Sequence, residues 1–337
     1  MQNNNKLDNH YNLIRFLDKG GFSKIYLVYN LNDNNRYAAR IRRNDLNDLN
    51  LQDESFQQEI EMTSLASGLN NPYIIHLNRF GVGTMIESGT ITNDVNYMIL
   101  EYCSRGDLFK YIYKIKGFIE RHAKYIFKKI LLGVQALHRA GYCHRNLKLQ
   151  NILLDHNYNP KISCFIFVTK FQQNNQPIML NDFVGTMNYA SPQIFSHNPY
   201  NGEKADIFSL GVILFILVTG ILGFSKASKQ DLYYRFIMLK LINKYWNTLN
   251  DHLANSDINL SDEFKDLYIS MVQYNENDRP NIEQILNHHW FDEINNLNNE
   301  ELNELEIDVR NEFLSRVNQI DQDNQDNQDN DDPLDDR

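Results

Sequence analysis

The sequence predicts an α+β fold in two lobes, a small sheet-rich lobe followed by a larger helical one. Three observations carry this reading. Apolar and polar residues alternate over residues 11–41, apolar positions recur at helical spacing after Gly106-Asp107, and residues 207–224 are almost continuously apolar, as a fully buried helix requires. A chain of 337 residues exceeds one ordinary hydrophobic core, which fits either one two-lobed unit or two small domains with extensions. A cleft between lobes is the common place for a small-molecule site.

Residues 1–10 read as a polar, Asn-rich extension without the apolar core of a signal peptide. Turns at Lys19-Gly20-Gly21 and Asn32-Asp33-Asn34-Asn35 then divide the alternating stretch into three antiparallel strands. Phe56, Ile60, Leu65 and Leu69 set a helix over 53–69, stopped by Asn70-Asn71-Pro72. Strands are expected over 74–80 and 97–102. Helices are expected over 108–115 and over 122–140, the latter with Ile126, Ile130, Val134 and Leu137 on one face.

The apolar run 207–224 starts behind Asp206 and is interrupted by Ser209, Gly211, Thr219, Gly220 and Gly223, so a buried helix is preferred to a membrane span. Beyond Trp290, the residues Leu302, Leu305, Val309, Phe313, Val317 and Ile320 recur as a helical stripe. Residues 294–320 are therefore expected to form an amphipathic helix, docked on the main body or offered to a partner. The Gln-Asp-Asn triplets of 321–337 hold too little apolar surface to bury and predict an acidic, disordered tail.

The formal net charge is -10, but the tail alone carries eight Asp against one Arg, leaving about -3 for the rest. No basic face emerges that would neutralise nucleic-acid phosphates or anionic lipid, so both partners are disfavoured. Cys103, Cys143 and Cys164 show neither C-x-x-C spacing nor a His-Cys cluster, which argues against zinc or a disulfide framework and for a reducing compartment. A cytoplasmic location is expected, with the nucleus left open.

Several motifs stand in order along the chain. Residues 17–26, Leu-Asp-Lys-Gly-Gly-Phe-Ser-Lys-Ile-Tyr, make a glycine hairpin; Tyr37-Ala38-Ala39-Arg40 and Phe56-Gln57-Gln58-Glu59-Ile60 follow it. Leu100-Glu101-Tyr102-Cys103 precedes Gly106-Asp107-Leu108, and residues 141–155 read Gly-Tyr-Cys-His-Arg-Asn-Leu-Lys-Leu-Gln-Asn-Ile-Leu-Leu-Asp. Ser163-Cys164-Phe165-Ile166, Gly185-Thr186, Ala190-Ser191-Pro192-Gln193, Asp206-Ile207-Phe208-Ser209-Leu210-Gly211 and Asn277-Asp278-Arg279-Pro280 complete the series. In this order they resemble the protein kinase superfamily, of the Ser/Thr class and closest to its calmodulin-dependent group.

The resemblance implies a bilobal protein-kinase-like domain over 11–293, with an N-lobe of 11–102 and a C-lobe of 103–293. It implies a nucleotide site built from Gly20, Gly21, Ile25, Ala38, Arg40, Glu59, Leu100, Glu101, Cys103 and Leu153. Ile25, Ala38 and Leu153 would stack around adenine. It also implies an inter-lobe column of Leu77, Thr63, Phe165 and His144, with polar Thr63 where leucine is usual.

Against the family pattern, three side chains needed for phosphoryl transfer are replaced. Arg40 stands for the lysine that bridges ATP phosphates and the αC glutamate; arginine can still pair with Glu59 but places its charge differently. Asn146 stands for the catalytic aspartate, and an amide is no base near neutral pH. Cys164 stands for the magnesium-binding aspartate, offering a thiol that prefers softer metals. Lys148 and Asn151 remain at catalytic positions, with Asn151 and Cys164 at the degenerate metal-ligand positions. Asp18 and Ser23 replace two loop glycines, and Gln193 replaces the glutamate expected to pair with Arg279.

The resemblance makes the stretch between Lys170 and Val184 part of an activation segment in which Arg145 would pair with a phosphorylated residue; it holds no Ser, Thr or Tyr, so Arg145 would need another anion, with Asp182 as a candidate. The expectation is a pseudokinase that scaffolds or regulates a protein partner, another kinase or its substrate, with ATP bound weakly or without magnesium. The alternatives are a slow ATP-dependent Ser/Thr kinase and an interaction module with no nucleotide site.

Overall fold

Alternating residues place one face of each N-terminal strand inward, and these faces close a barrel around Leu7, Leu13, Val28, Ala39, Ile41 and Tyr97. The computed structural model describes residues 5–20, 23–43, 49–112, 116–174, 176–253 and 258–329. Strands β1 (Lys6–Leu7), β2 (Tyr11–Lys19), β3 (Ser23–Asn30), β4 (Arg36–Arg42), β5 (Leu77–Glu87) and β6 (Thr90–Glu101) run in the order β1-β2-β3-β4-β6-β5 and close on themselves. Helix α1 (Leu49–Gly68) lies between β4 and β5 in the chain, and its Phe56 and Ile60 pack on Met98 and Leu77.

Two boundaries differ from the sequence reading of this lobe. Leu7 is buried in β1, which pairs with both β2 and β5, so part of the expected extension belongs to the sheet. A strand of two residues has no readable period. The hairpin of β5 and β6 also reaches well beyond the expected 74–80 and 97–102, because its outer part is rich in Thr, Asn and Gly and lacks the apolar alternation that marks a strand.

The C-lobe begins with β7 (Gly106–Asp107) and a single 3-10 turn, Leu108–Tyr111, where a longer helix to residue 115 was expected; residues 113–115 lie outside the described residues. Then come α2 (Glu120–Arg139), β8 (Tyr142–Cys143), β9 (Ile152–Leu154) and β10 (Pro160–Ile162). β9 pairs with both β7 and β10, setting Asp107 opposite Leu153. The helices α3 (Pro192–Phe195), α4 (Gly202–Thr219), α5 (Leu232–Met238), α6 (Ile242–Leu253), α7 (Asp262–Met271), α8 (Ile282–Leu286), α9 (Asp292–Asn295) and α10 (Asn299–Asp329) follow.

The apolar run becomes α4, buried along its length from Ala205 to Thr219. It ends because Gly220 adopts φ 76°, a left-handed cap that glycine takes without a Cβ clash. Among the described residues no helix is long and apolar enough to cross a membrane.

Helix α10 lies on the C-lobe through Leu305, Val309 and Phe313, all buried. Phe313 stacks on Tyr158 at 4.9 Å and meets Tyr111 and Phe118, each at 5.1 Å. Arg316 donates to the carbonyls of Tyr111, Lys116 and Gly117 at 3.1, 2.5 and 2.8 Å, and Glu312 pairs with His122. The helix continues past residue 320 into the stretch expected to be a disordered tail; extending an existing helix is far cheaper than nucleating one. Residues 330–337 and the side chain of Ile320 lie outside the described residues.

Candidate active site

The two lobes enclose a cavity of about 560 Å³ at their junction. Register explains its walls: in β3 and β4 Ile25 and Ala38 face it from above, and Leu153 on β9 faces it from below. Leu17, Asp18, Glu101, Tyr102, Cys103 and Asp107 complete most of the wall. Of the expected nucleotide residues, Ile25, Ala38, Glu101, Cys103 and Leu153 thus come together. Leu100 instead sits behind the wall, paired with Ala38 and Leu77.

Gly20 makes the expected tight turn, its N–H donating to the Ser23 carbonyl at 2.8 Å; Gly21 lies outside the described residues. Arg40 and Glu59 do not line the cavity among its described residues. The Arg40 guanidinium meets Glu59 Oε1 at 2.5 Å, and its Nε donates to Ser23 Oγ at 2.9 Å. Burial works against charge on Arg40, but the Glu59 carboxylate above all outweighs it, so its pKa is raised and the guanidinium stays charged. Burial of Glu59 in turn pushes its carboxyl up, against the pull of Arg40. Arg40 is thereby committed to the αC glutamate and to the residue replacing the third loop glycine.

Below the cavity, the loop between β8 and β9 is held from behind by Asp206 at the start of α4. Its carboxylate accepts the N–H groups of His144 and Arg145, both at 2.7 Å, and pairs with His138 Nε2 at 2.9 Å. Burial lowers the pKa of His144, keeping the ring neutral; Nδ1 accepts from the Asn146 N–H at 3.2 Å, which leaves Nε2 to donate to the Ser163 carbonyl at 3.0 Å. His144 also meets Phe165 edge-on at 5.5 Å, one joint of the expected column. Thr63, buried higher in that column, turns its hydroxyl back to the Glu59 carbonyl at 2.6 Å.

Asn146 Oδ1 accepts from Thr186 Oγ1 at 3.1 Å, and its Nδ2 lies 3.9 Å from Cys164 Sγ. Asn151 Nδ2 donates to the Asn146 carbonyl at 2.8 Å, while Lys148 is half-buried beside them. Cys164 has φ 67°, a left-handed conformation that costs a residue with a Cβ roughly 1–2 kcal/mol. Burial pushes its thiol pKa up, more than Arg40 and Lys148 pull it down, so the sulfur is protonated.

This donor set does not fit magnesium. A hard dication takes carboxylate, phosphate and water oxygens, whereas these positions offer one neutral amide oxygen and a buried neutral thiol. The cavity itself does fit the flat face of adenine, because Ile25, Ala38 and Leu153 are apolar, modest in size and placed on opposite walls.

The activation segment is anchored without a phosphate. Arg145 donates to Asp182 Oδ2 at 2.8 Å and to the Phe167 carbonyl at 2.7 Å, and Tyr200 Oη donates to the Asp182 carbonyl at 3.2 Å. Burial alone would lower the Arg145 pKa, yet Asp182 and Tyr200 raise it. Asp182 itself is largely exposed, which limits the pair to about 1 kcal/mol. Asp182→Ala is accordingly expected to lower Tm by about 1–2 °C and to speed proteolytic cleavage between residues 170 and 184. Unchanged melting and cleavage would remove Asp182 from this role.

At the far end of the segment, Arg279 Nη2 donates to Gln193 Oε1 at 2.7 Å and Nε donates to the Gln273 carbonyl at 2.9 Å. Burial lowers the Arg279 pKa to about 10, so a buried cation rests mainly on neutral acceptors. Gln193→Glu is expected to leave the denaturation midpoint close to that of the natural chain, because the charge gained for Arg279 is offset by loss of the Gln193 Nε2 hydrogen bond to the Tyr274 carbonyl at 2.6 Å.

Sequence reasoning missed three cations, Arg15, Arg105 and Lys110, that line the outer cavity. No motif marks them; only the fold brings Arg15 of β2 to the residues around β7. The Thr186–Asn146 bond was equally invisible, although both residues had been singled out.

Comparison with known proteins agrees with this geometry. The family described as protein kinase domain matches residues 11–291. A Danio rerio protein described as serine/threonine-protein kinase SIK3 homolog is 31% identical over 228 residues, which is 68% of this chain and 18% of that relative. The chain thus spans less than a fifth of the length of that protein. With this match over nearly all of both lobes, the chain belongs to the protein kinase superfamily and is related to its Ser/Thr members.

Proposed function

We propose that the chain is a pseudokinase, which scaffolds or regulates a protein partner and binds adenine nucleotide weakly and without metal. One observation carries the reading: the Arg40–Glu59 tether is formed at 2.5 Å while the neighbouring acidic positions hold Asn146 and Cys164. The scaffold of an ordered site is assembled around groups that neither hold magnesium nor accept a proton. The partner is a protein, another kinase or its substrate, met in the cytoplasm.

The test is transfer of γ-phosphate by the purified full chain to protein substrates, beside thermal-shift titration with ATP, with magnesium and with chelator. The expected result is background transfer and an ATP-dependent rise in Tm that chelator leaves intact. Robust magnesium-dependent transfer would falsify the proposal. No shift with ATP or its analogues would instead favour an interaction module without a nucleotide site. A slow kinase is the second reading, favoured by Lys148 and Asn151 keeping their places beside an intact Arg40–Glu59 pair.

A further inference from the structure

Charge is unevenly distributed along the cleft. At its inner end, the Arg40 cation is matched by Glu59 at 2.5 Å. At the outer end, Arg15, Arg105 and Lys110 line the cavity, whose wall also holds Asp18, Glu101 and Asp107. Arg15 donates to the Tyr102 hydroxyl at 3.3 Å. Arg105 donates to the His156 carbonyl at 3.4 Å and lies 4.7 Å over the Tyr158 ring. Lys110 Nζ is 5.6 Å from the Tyr111 ring centroid. Among the described residues none of the three has a carboxylate at ion-pair distance.

The acids of the cavity wall do not cancel this rim. Glu101 is paired with Lys161 at 2.9 Å. Asp107 accepts the Lys110 backbone N–H at 3.1 Å; burial raises its pKa against the pull of the Lys110 charge, so it offsets part of Lys110 and leaves Arg15 and Arg105 without an acid of the wall. Asp18 sits at the end of the wall nearest the glycine hairpin, its Oδ1 capping the Lys19 N–H at 2.7 Å, where it repels an anion directed inward.

We propose that this cavity takes a flat heteroaromatic ring carrying one anionic group, of the nucleoside monophosphate type, with the anion turned outward to Arg15, Arg105 and Lys110. The proposal rests on the nucleotide-binding half of the function proposed above and adds ligand class and direction. Because Arg15 and Lys110 are exposed, each cation contributes roughly a two- to fivefold gain in affinity at low ionic strength, and salt screens it.

Calorimetric titration of the full chain with adenosine, AMP and ATP, each with magnesium and with chelator, at low and high salt, tests it. At low salt AMP is expected to bind several-fold tighter than adenosine, independently of magnesium, and the advantage shrinks at high salt. In the Arg15→Gln/Lys110→Gln double variant, which melts like the natural chain, the affinity ratio of AMP to adenosine falls by roughly two- to fivefold for each cation removed. Equal binding of AMP and adenosine overturns the proposal while leaving nucleotide binding in place. So does a magnesium-dependent preference for ATP that the double variant does not alter. Failure of all three ligands to bind overturns the nucleotide-binding reading as well.

Discussion

The Arg40→Lys/Asn146→Asp/Cys164→Asp triple variant is expected to transfer phosphate to a Ser/Thr substrate at least ~10²-fold faster than the natural chain, in a magnesium-dependent assay with labelled ATP. Each change returns a different physical element: a compact ammonium that still reaches Glu59, a carboxylate able to take the hydroxyl proton, and a hard oxygen ligand beside Asn151. Position 164 suits the change, because its φ of 67° is better tolerated by Asp than by Cys. Single replacements should gain much less, since these groups act as a unit. Asp18, in place of a loop glycine, remains and limits the gain. A triple variant no faster than the natural chain, with the natural chain itself active, would establish the slow-kinase reading.

How far this site was legible depends on whether its signal is local or long-range. The loop from His144 to Asn151 and the Cys164-Phe165-Ile166 stretch are short ordered motifs, so their departures could be read residue by residue. The Arg40 side chain was expected to reach Glu59, and it does; its second bond, to Ser23 across β3 and β4, depends on strand register and no motif encodes it. The same holds for Arg15, which reaches Tyr102 only because the barrel carries β2 to the lobe junction. Arg145 and Asp182 lie between these extremes. The absence of a phosphorylatable side chain in the segment pointed to a substitute anion, and the fold supplies it at 2.8 Å. In the fold, strands with alternating residues were readable, whereas the two-residue β1 and the polar outer half of the β5–β6 hairpin carried no period to read.

Phe313→Ala is expected to destabilise the protein by roughly 3–5 kcal/mol, read as a fall in Tm of roughly 4–7 °C. The ring is fully buried and touches Tyr111, Phe118 and Tyr158, so its removal leaves a cavity walled by three aromatic side chains that cannot collapse together. Arg316 adds a second anchor, filling the carbonyls of Tyr111, Lys116 and Gly117 and lying 3.9 Å over the Phe118 ring. Leu302→Ala and Leu314→Ala, on partly exposed positions of the same helix, should each cost less than about 1 kcal/mol. This contrast distinguishes the two readings of the C-terminal stripe. A helix integral to the folded unit makes the buried positions costly and the exposed ones cheap. If Phe313→Ala melts like the natural chain, α10 is not part of that unit and its apolar stripe is available to a partner.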